Sequence, residues 1–141
     1  MSAEARVREL VQAKLLGRTV DVVGFIDGLF ALATGAGEIQ CGLAPDERLR
    51  FRVADQVFEV ELDAARGKLR MLCARLSVLC NRAVGGAVSP YGADVIIATT
   101  DRASERWAVR FINTPDQQQF TISLVDTQVP ESGTKENVKS I

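Results

Sequence analysis

The sequence predicts a single α+β domain with two N-terminal helices, then a mainly antiparallel sheet of order ββ-α-βββ packed on a central helix. Three observations predict this class. Apolar residues recur at helical spacing early in the chain, they alternate with polar residues near residue 50 and after residue 105, and helical spacing returns between these two regions. The 141 residues fit one domain, expected over 1–125, with a flexible polar tail over 126–141.

Composition limits the partners and the compartment. Lys and Arg number 17 and Asp and Glu number 18, so no overall field attracts nucleic acid or a membrane. Three cysteines, an odd number, do not describe a disulfide framework, and Met1–Leu10 lacks the basic and apolar regions of a signal peptide. These features predict a cytoplasmic location.

The longest apolar run, Val20–Gly37, is expected to be a buried helix and not a membrane span. It contains Asp21 and Asp27, and an acid near the centre of a bilayer costs about 2.5 to 3.5 kcal/mol. Its glycine-rich end also shortens the apolar stretch below the roughly 20 residues that a spanning helix needs. We therefore expect no membrane contact.

The first two elements are helices whose ends can be read from the sequence. Ser2 is predicted to cap a first helix that ends near Gly17, because apolar residues recur at helical spacing between them. Thr19 is predicted to cap a second helix through about Ala33, ended by the glycines of TGAG. The second helix is apolar on nearly all sides, so we expect other elements to cover it.

Asp27 is an acid inside the most apolar helix, in the stretch GFIDGLF. A buried carboxylate without a partner is costly, so Asp27 must reach water or find a donor. The favoured interpretation is an ion pair with Arg66 or Arg70, or a place on the wet edge of the helix. The alternative is an acid of raised pKa that lines a pocket.

The stretch LRFRVADQVFEVEL predicts a hairpin over residues 49–62, after a candidate short strand in GEIQCGLA. A two-residue turn at Asp55 and Gln56 gives matched partners on both faces. The apolar pairs are Val53 with Phe58, Phe51 with Val60 and Leu49 with Leu62. The charged pairs are Arg52 with Glu59 and Arg50 with Glu61. Such cross-strand ion pairs each contribute a few tenths of a kcal/mol, roughly.

A third helix and three strands complete the predicted domain. Asp63 is predicted to cap a basic helix that runs to about Val84 and is ended by GGAVSPYG. The stretches DVIIATT, RWAVRFI and QFTISLV then predict strands. The residues expected to face the core on the last two strands are Trp107, Val109, Phe111, Phe120, Ile122 and Leu124.

The sequence predicts no catalytic, cofactor or metal site. Histidine is absent, which excludes Ser-His-Asp and Cys-His arrangements within this chain and removes the commonest ligand of zinc. Cys73 and Cys80 lie seven residues apart on one helix face, where core packing is the favoured interpretation. Cys41, next to Gly42, is expected to be the accessible thiol.

The basic helix carries the sharpest sequence signal, because acids are absent from Ala64 through Ala93. Its expected partner-binding residues form two sets on adjacent sides of the helix. We call Lys68, Arg75 and Arg82 the basic row, and Met71 and Val78 the outer strip. Both sets repeat every seven residues, which keeps each on one side of a helix. The alternative is internal, with the N-terminal helices covering the outer strip and Glu4 or Glu9 pairing with the basic row.

The start of the basic helix is also unusual, since Arg66, Lys68 and Arg70 lie where the helix dipole prefers acids. A nearby carboxylate or an anionic partner would relieve this mismatch. Glu47 and Glu38 are the internal candidates, and an acidic segment of another protein is the external one.

Three function classes remain open. We expect a non-enzymatic protein-interaction module, such as an adaptor, accessory or scaffolding subunit, that binds another protein chain or a second copy of itself. Nucleic acid is disfavoured because the basic row has no interleaved aromatic residues and the net charge is −1. The alternatives are a small-ligand or anion-binding sensor with a pocket near the second helix, and a histidine-free enzyme.

Overall fold

The computed structural model describes residues 2–17, 19–99 and 102–127, and it confirms the α+β class. The helices are α1 (Ala3–Leu10), which continues as one π-helical turn (Val11–Leu15), α2 (Val22–Ala36) and α3 (Ala65–Val84). The strands are β1 (Glu38–Leu43), β2 (Leu49–Val53), β3 (Gln56–Val60), β4 (Gly92–Thr99), β5 (Arg102–Asn113) and β6 (Gln118–Thr127). Most of the expected tail, residues 128–141, lies outside the described residues, while 126–127 belong to β6.

The six strands form one antiparallel sheet in the order β3-β2-β1-β6-β5-β4. The sheet therefore has one strand more than the ββ-α-βββ order, and this strand is the candidate in GEIQCGLA. β1 lies at the centre, between β2 and β6. The helices described above cover one face of the sheet, and the other face carries none of them.

The hairpin of β2 and β3 confirms the predicted core face but corrects the predicted register. Phe51 lies opposite Phe58, and Arg50 lies opposite Glu59 instead of Glu61. The turn falls at Ala54 and Asp55, because Ala54 takes a left-handed conformation with φ of 55° and closes the loop one residue early. A shift of two residues keeps every side chain on its face, so the predicted apolar residues remain in the core.

The start of α1 is as predicted, whereas the start of α2 is not. The Ser2 hydroxyl accepts a hydrogen bond from Ala5 N at 3.1 Å. Asp21, and not Thr19, caps α2, because its Oδ1 accepts from Gly24 N at 2.8 Å. A carboxylate placed there also benefits from the positive end of the helix dipole.

The end of α2 and the start of α3 also differ from expectation. α2 continues three residues past Ala33 to Ala36, and Gly37 caps its C-terminal end. The φ of Gly37 is 91°, which a residue with a side chain would adopt only with strain. α3 has no side-chain cap, so the prediction for Asp63 is wrong. Ala64 occupies the capping position with φ of 55° and offers no side-chain acceptor.

The core lies between the helices and the sheet. Phe30 of α2 meets the buried Trp107 of β5 edge to face, with ring centroids 5.0 Å apart. α2 packs closely on α1 at Gly28, where a Cβ would lie 2.6 Å from Leu10 Cδ2. The predicted inward residues of β5 and β6 are buried, except that Leu124 is only partly so. Within the described residues, no helix combines the length and apolar character needed to cross a bilayer.

Candidate functional site

The outer strip is exposed on the side of α3 that points away from the core. α3 buries one side against the sheet, chiefly through Leu69, Leu72 and Leu76. Met71 and Val78 lie on the opposite side and remain 44% and 42% exposed. The N-terminal helices therefore leave the outer strip uncovered, which contradicts the internal alternative.

The basic row has no acidic partner among the described residues. Glu4 pairs with Arg8 at 2.8 Å, and Glu9 forms no ion pair with the row. Arg82 is exposed, while Lys68 and Arg75 are half-buried. Arg75 Nε is fully covered and has no hydrogen-bond partner in the described part of the chain.

Of the two acids predicted to pair with the first turn of α3, Glu47 does so and Glu38 does not. Arg66 Nη2 lies 3.8 Å from Glu47 Oε2, and Arg66 Nη1 donates to Gln118 Oε1 at 2.8 Å. The prediction for Glu38 is wrong, since its carboxylate accepts hydrogen bonds from Gln40 and Ser123 on the far side of the sheet. The charge of Arg66 is therefore met internally.

Asp27 forms neither of the ion pairs predicted for it. Its side chain is half-buried, and it makes no ion pair or hydrogen bond with Arg66, Arg70 or any other described residue. Asp27 lies on the wet edge of α2, which agrees with the favoured interpretation of this acid.

The three cysteines are core groups. Cys41 is 2% exposed, so its predicted accessibility is wrong; β1 is a central strand, and Cys41 faces the helices. Burial raises the pKa of Cys41 well above its ordinary value, that of Cys73 to about 12 and that of Cys80 to about 11. The Cys73 Sγ lies 3.6 Å from Ile112 O and 3.7 Å from Gln119 O. Such protonated thiols are poor nucleophiles.

A cleft of about 1240 Å³ runs along the helix-free face of the sheet and reaches the β1–β2 and β5–β6 loops and Arg66 at the start of α3; the sequence did not predict it. It is on the opposite side of the sheet from α2, where a pocket was expected. Five arginines and three acids line it: Arg48, Arg50, Arg52, Arg66, Arg110, Glu47, Glu59 and Asp116. The sequence signal for its strand residues, such as Arg50, Arg52 and Glu59, was the alternation that turns these positions away from the core.

Strand pairing places five of the cleft residues in one row across the sheet, which Asp94 of β4 extends beyond the cleft. The row runs through Val57, Arg52, Gln40, Thr121, Arg110 and Asp94. Arg110 at one end pairs with Asp94 at 3.2 Å. Arg52 faces Val57 and Gln40 and forms no ion pair with a described residue. The β2 side of the cleft therefore holds an arginine whose charge no described acid pairs.

Within the described residues, no three side chains of the kinds that bind metal ions lie close together. No family model matches this chain, and the search of curated proteins finds no relative.

Proposed function

We propose that this protein is a non-enzymatic interaction module that binds an acidic, amphipathic helix of another protein on α3. The observation that carries the proposal is the exposed outer strip beside a basic row that has no acidic partner among the described residues. Apolar residues left outside the core next to an uncompensated charge favour a partner of complementary character.

The spacing of the strip favours a helical partner. Met71 and Val78 are seven residues apart, which is about 10.5 Å along α3 at 1.5 Å per residue. A partner helix that presents apolar residues at positions i, i+3 or i+4, and i+7 covers the same length. Its flanking acids would face Arg75 and Arg82.

The two sets of residues are expected to play different roles. Fully burying a valine or methionine side chain contributes about 1.5 to 3 kcal/mol, so the two half-exposed residues of the strip would supply the lasting contact. The basic row lies at the rim, where charges mainly change the association rate and its salt dependence. Because only two apolar residues supply this contact, we expect the complex with the partner helix to be transient.

The experiment is a selection from two displayed libraries of helical peptides. Both libraries carry leucines at helical spacing, one flanked by glutamates and the other by lysines. The proposal expects binders from the glutamate library that fail to enrich on Met71→Asp protein. Equal enrichment on Met71→Asp protein, or binders from the lysine library only, would contradict it.

A second candidate function is the binding of a small anion in the cleft, and Arg52 is the observation that favours it. Arg52 stands three strand spacings from Arg110, about 14 Å away, with only polar side chains between them in the row. A guanidinium without an ion-pair partner offers two parallel N–H donors to a carboxylate or phosphate. This candidate keeps the sensor class but moves its site to the helix-free face.

A further inference from the structure

The two edges of the sheet are treated differently. β3 is a five-residue edge strand, and a side chain from α1 covers part of its outer edge. Arg8 Nη2 donates to Glu59 O at 3.0 Å, and the Arg8 guanidinium lies over the Phe58 ring at 5.8 Å. A side chain that occupies an edge carbonyl prevents another strand from pairing there.

β4, at the other end of the sheet, is an eight-residue strand whose outer edge is open among the described residues. Among the described residues, only β5 pairs with it. Asn113 N donates to Tyr91 O at 2.8 Å, so residue 91 points its backbone groups toward β5. Because these directions alternate along an antiparallel strand, Gly92, Asp94 and Ile96 point their N–H and C=O groups outward.

The side chains of β4 make this open edge apolar and nearly neutral. Ile96 is 55% exposed on the helix-free face. Asp94, the only charged side chain of the strand, is paired with Arg110 at 3.2 Å. Charged side chains normally protect an edge strand from pairing, and this strand carries only one of them.

We infer that β4 pairs with β4 of a second copy of this chain, antiparallel about a two-fold axis at Ile96. The strand is self-complementary in that register. Ile96 lies opposite Ile96 of the second copy, Val95 opposite Ile97, and Asp94 opposite Ala98. The exposed Ile96 side chains then cover each other, and outward backbone groups of both copies are paired.

The charge of Asp94 selects this register among the alternatives. An axis at Asp94 would put two carboxylates directly opposite each other, which destabilises a strand pair. An axis at Val95 would leave them as diagonal neighbours, about 7 Å apart. An axis at Ile96 separates them by four residues along the strand, about 14 Å.

The pairing is confined to a short segment, so the dimer should depend on concentration. The β4–β5 ladder shifts register between Ile97 and Thr99, which ends the regular part of the edge. This interface does not involve the outer strip of α3, so it stands independently of the proposed function.

Sedimentation velocity over a concentration series tests whether the dimer forms through β4. The wild-type chain should shift from monomer to dimer, and Ile96→Lys should stay monomeric at every concentration. Val57→Lys is the matched control, since Val57 is 57% exposed on the other edge strand, and it should dimerise as the wild type does. A wild-type chain that stays monomeric, or an Ile96→Lys chain that dimerises, would overturn the inference.

Cysteine cross-linking tests the register. Paired residues that exchange hydrogen bonds have Cα atoms about 5.5 Å apart, within disulfide reach. Ile96→Cys should therefore cross-link under mild oxidation, while Asp94→Cys should not. The wild type is the background control because its three cysteines are buried. Failure of Ile96→Cys to cross-link would contradict pairing at β4. Loss of the dimer in Met71→Asp would also contradict it, because self-association would then take place through α3.

Discussion

Arg50 and Glu59 face each other across the β2–β3 hairpin, with Arg50 Nη2 2.9 Å from Glu59 Oε2. This pair belongs to a register in which Arg52 lies opposite Val57, and no described acid pairs with Arg52. The position of this two-residue turn therefore decides whether Arg52 has an acid opposite it: a turn at Asp55 and Gln56 would place Glu59 there, and the observed turn places Val57 there.

The Arg50–Glu59 pair should be energetically coupled. A double-mutant cycle with Arg50→Ala and Glu59→Ala should give a coupling of about 0.2 to 1 kcal/mol, the range of partly exposed ion pairs. Urea unfolding followed by the fluorescence of Trp107 measures each variant. The same cycle with Glu61→Ala is the control and should give no coupling; coupling to Glu61 instead would restore the register predicted from the sequence.

Removing the charge of Arg52 should weaken anion binding in the cleft. Arg52→Gln keeps the length and polarity of the side chain but removes its charge, so we expect at least a fivefold loss of affinity for citrate or inorganic phosphate by calorimetry. Arg82→Gln, on α3 and far from the cleft lining, is the matched control. Anion binding that is unchanged in Arg52→Gln would exclude the second candidate function.

The stability of the protein should fall in alkaline solution, because burial raises the pKa of the Cys73 thiol from 9.0 to about 12. Above about pH 9 the unfolded chain releases this proton and the folded chain retains it. Below about pH 9 the Cys73 thiol is protonated in both states and does not lower the free energy of unfolding. This free energy then declines as the pH rises from 9 toward 12.

The comparison of wild type with Cys73→Ala isolates this effect from other groups that titrate in the same range. Unfolding in urea at several values between about pH 8 and pH 10.5 should give a steeper decline for the wild type. If the free energy of unfolding declines with pH equally in the two proteins, burial does not raise the pKa of the Cys73 thiol, and the prediction is wrong.

Charge reversal in the basic row should act on the rate of association. Arg75→Glu should slow the binding of a peptide selected from the glutamate library and reduce the salt dependence of that rate. Stopped-flow fluorescence at several ionic strengths measures both. If the rate and its salt dependence match the wild type, the basic row takes no part in the encounter.

The sequence predicts elements well where a pattern is local. Helical spacing located α1, α2 and α3, and alternation located β2, β3, β5 and β6 with the correct inward faces. The hairpin register was not predictable in this way. It depends on Ala54 adopting a positive φ, which no pattern of apolar and polar residues encodes.

Features that depend on long-range pairing were least predictable. β1 carries only a short and weak pattern, with two buried residues, Ile39 and Cys41, and a glycine at position 42. It is nevertheless a central strand, because β2 and β6 pair with it on either side. The cleft is formed by residues from β2, β1, β6 and β5 that are distant in the chain and meet only through this strand order. By contrast, the outer strip of α3 lies on one helix, so its position followed from spacing alone.

The most direct test of the proposed function is the affinity of one peptide from the glutamate library for three proteins. Fluorescence anisotropy should give Met71→Asp a dissociation constant at least tenfold above that of the wild type, a difference of about 1.4 kcal/mol. Val23→Asp, which changes an equally exposed valine on α2, should stay within twofold of the wild type. Urea unfolding should show that both variants are folded, because exposed positions tolerate substitution. A folded Met71→Asp protein that binds the peptide as tightly as the wild type would contradict docking on α3.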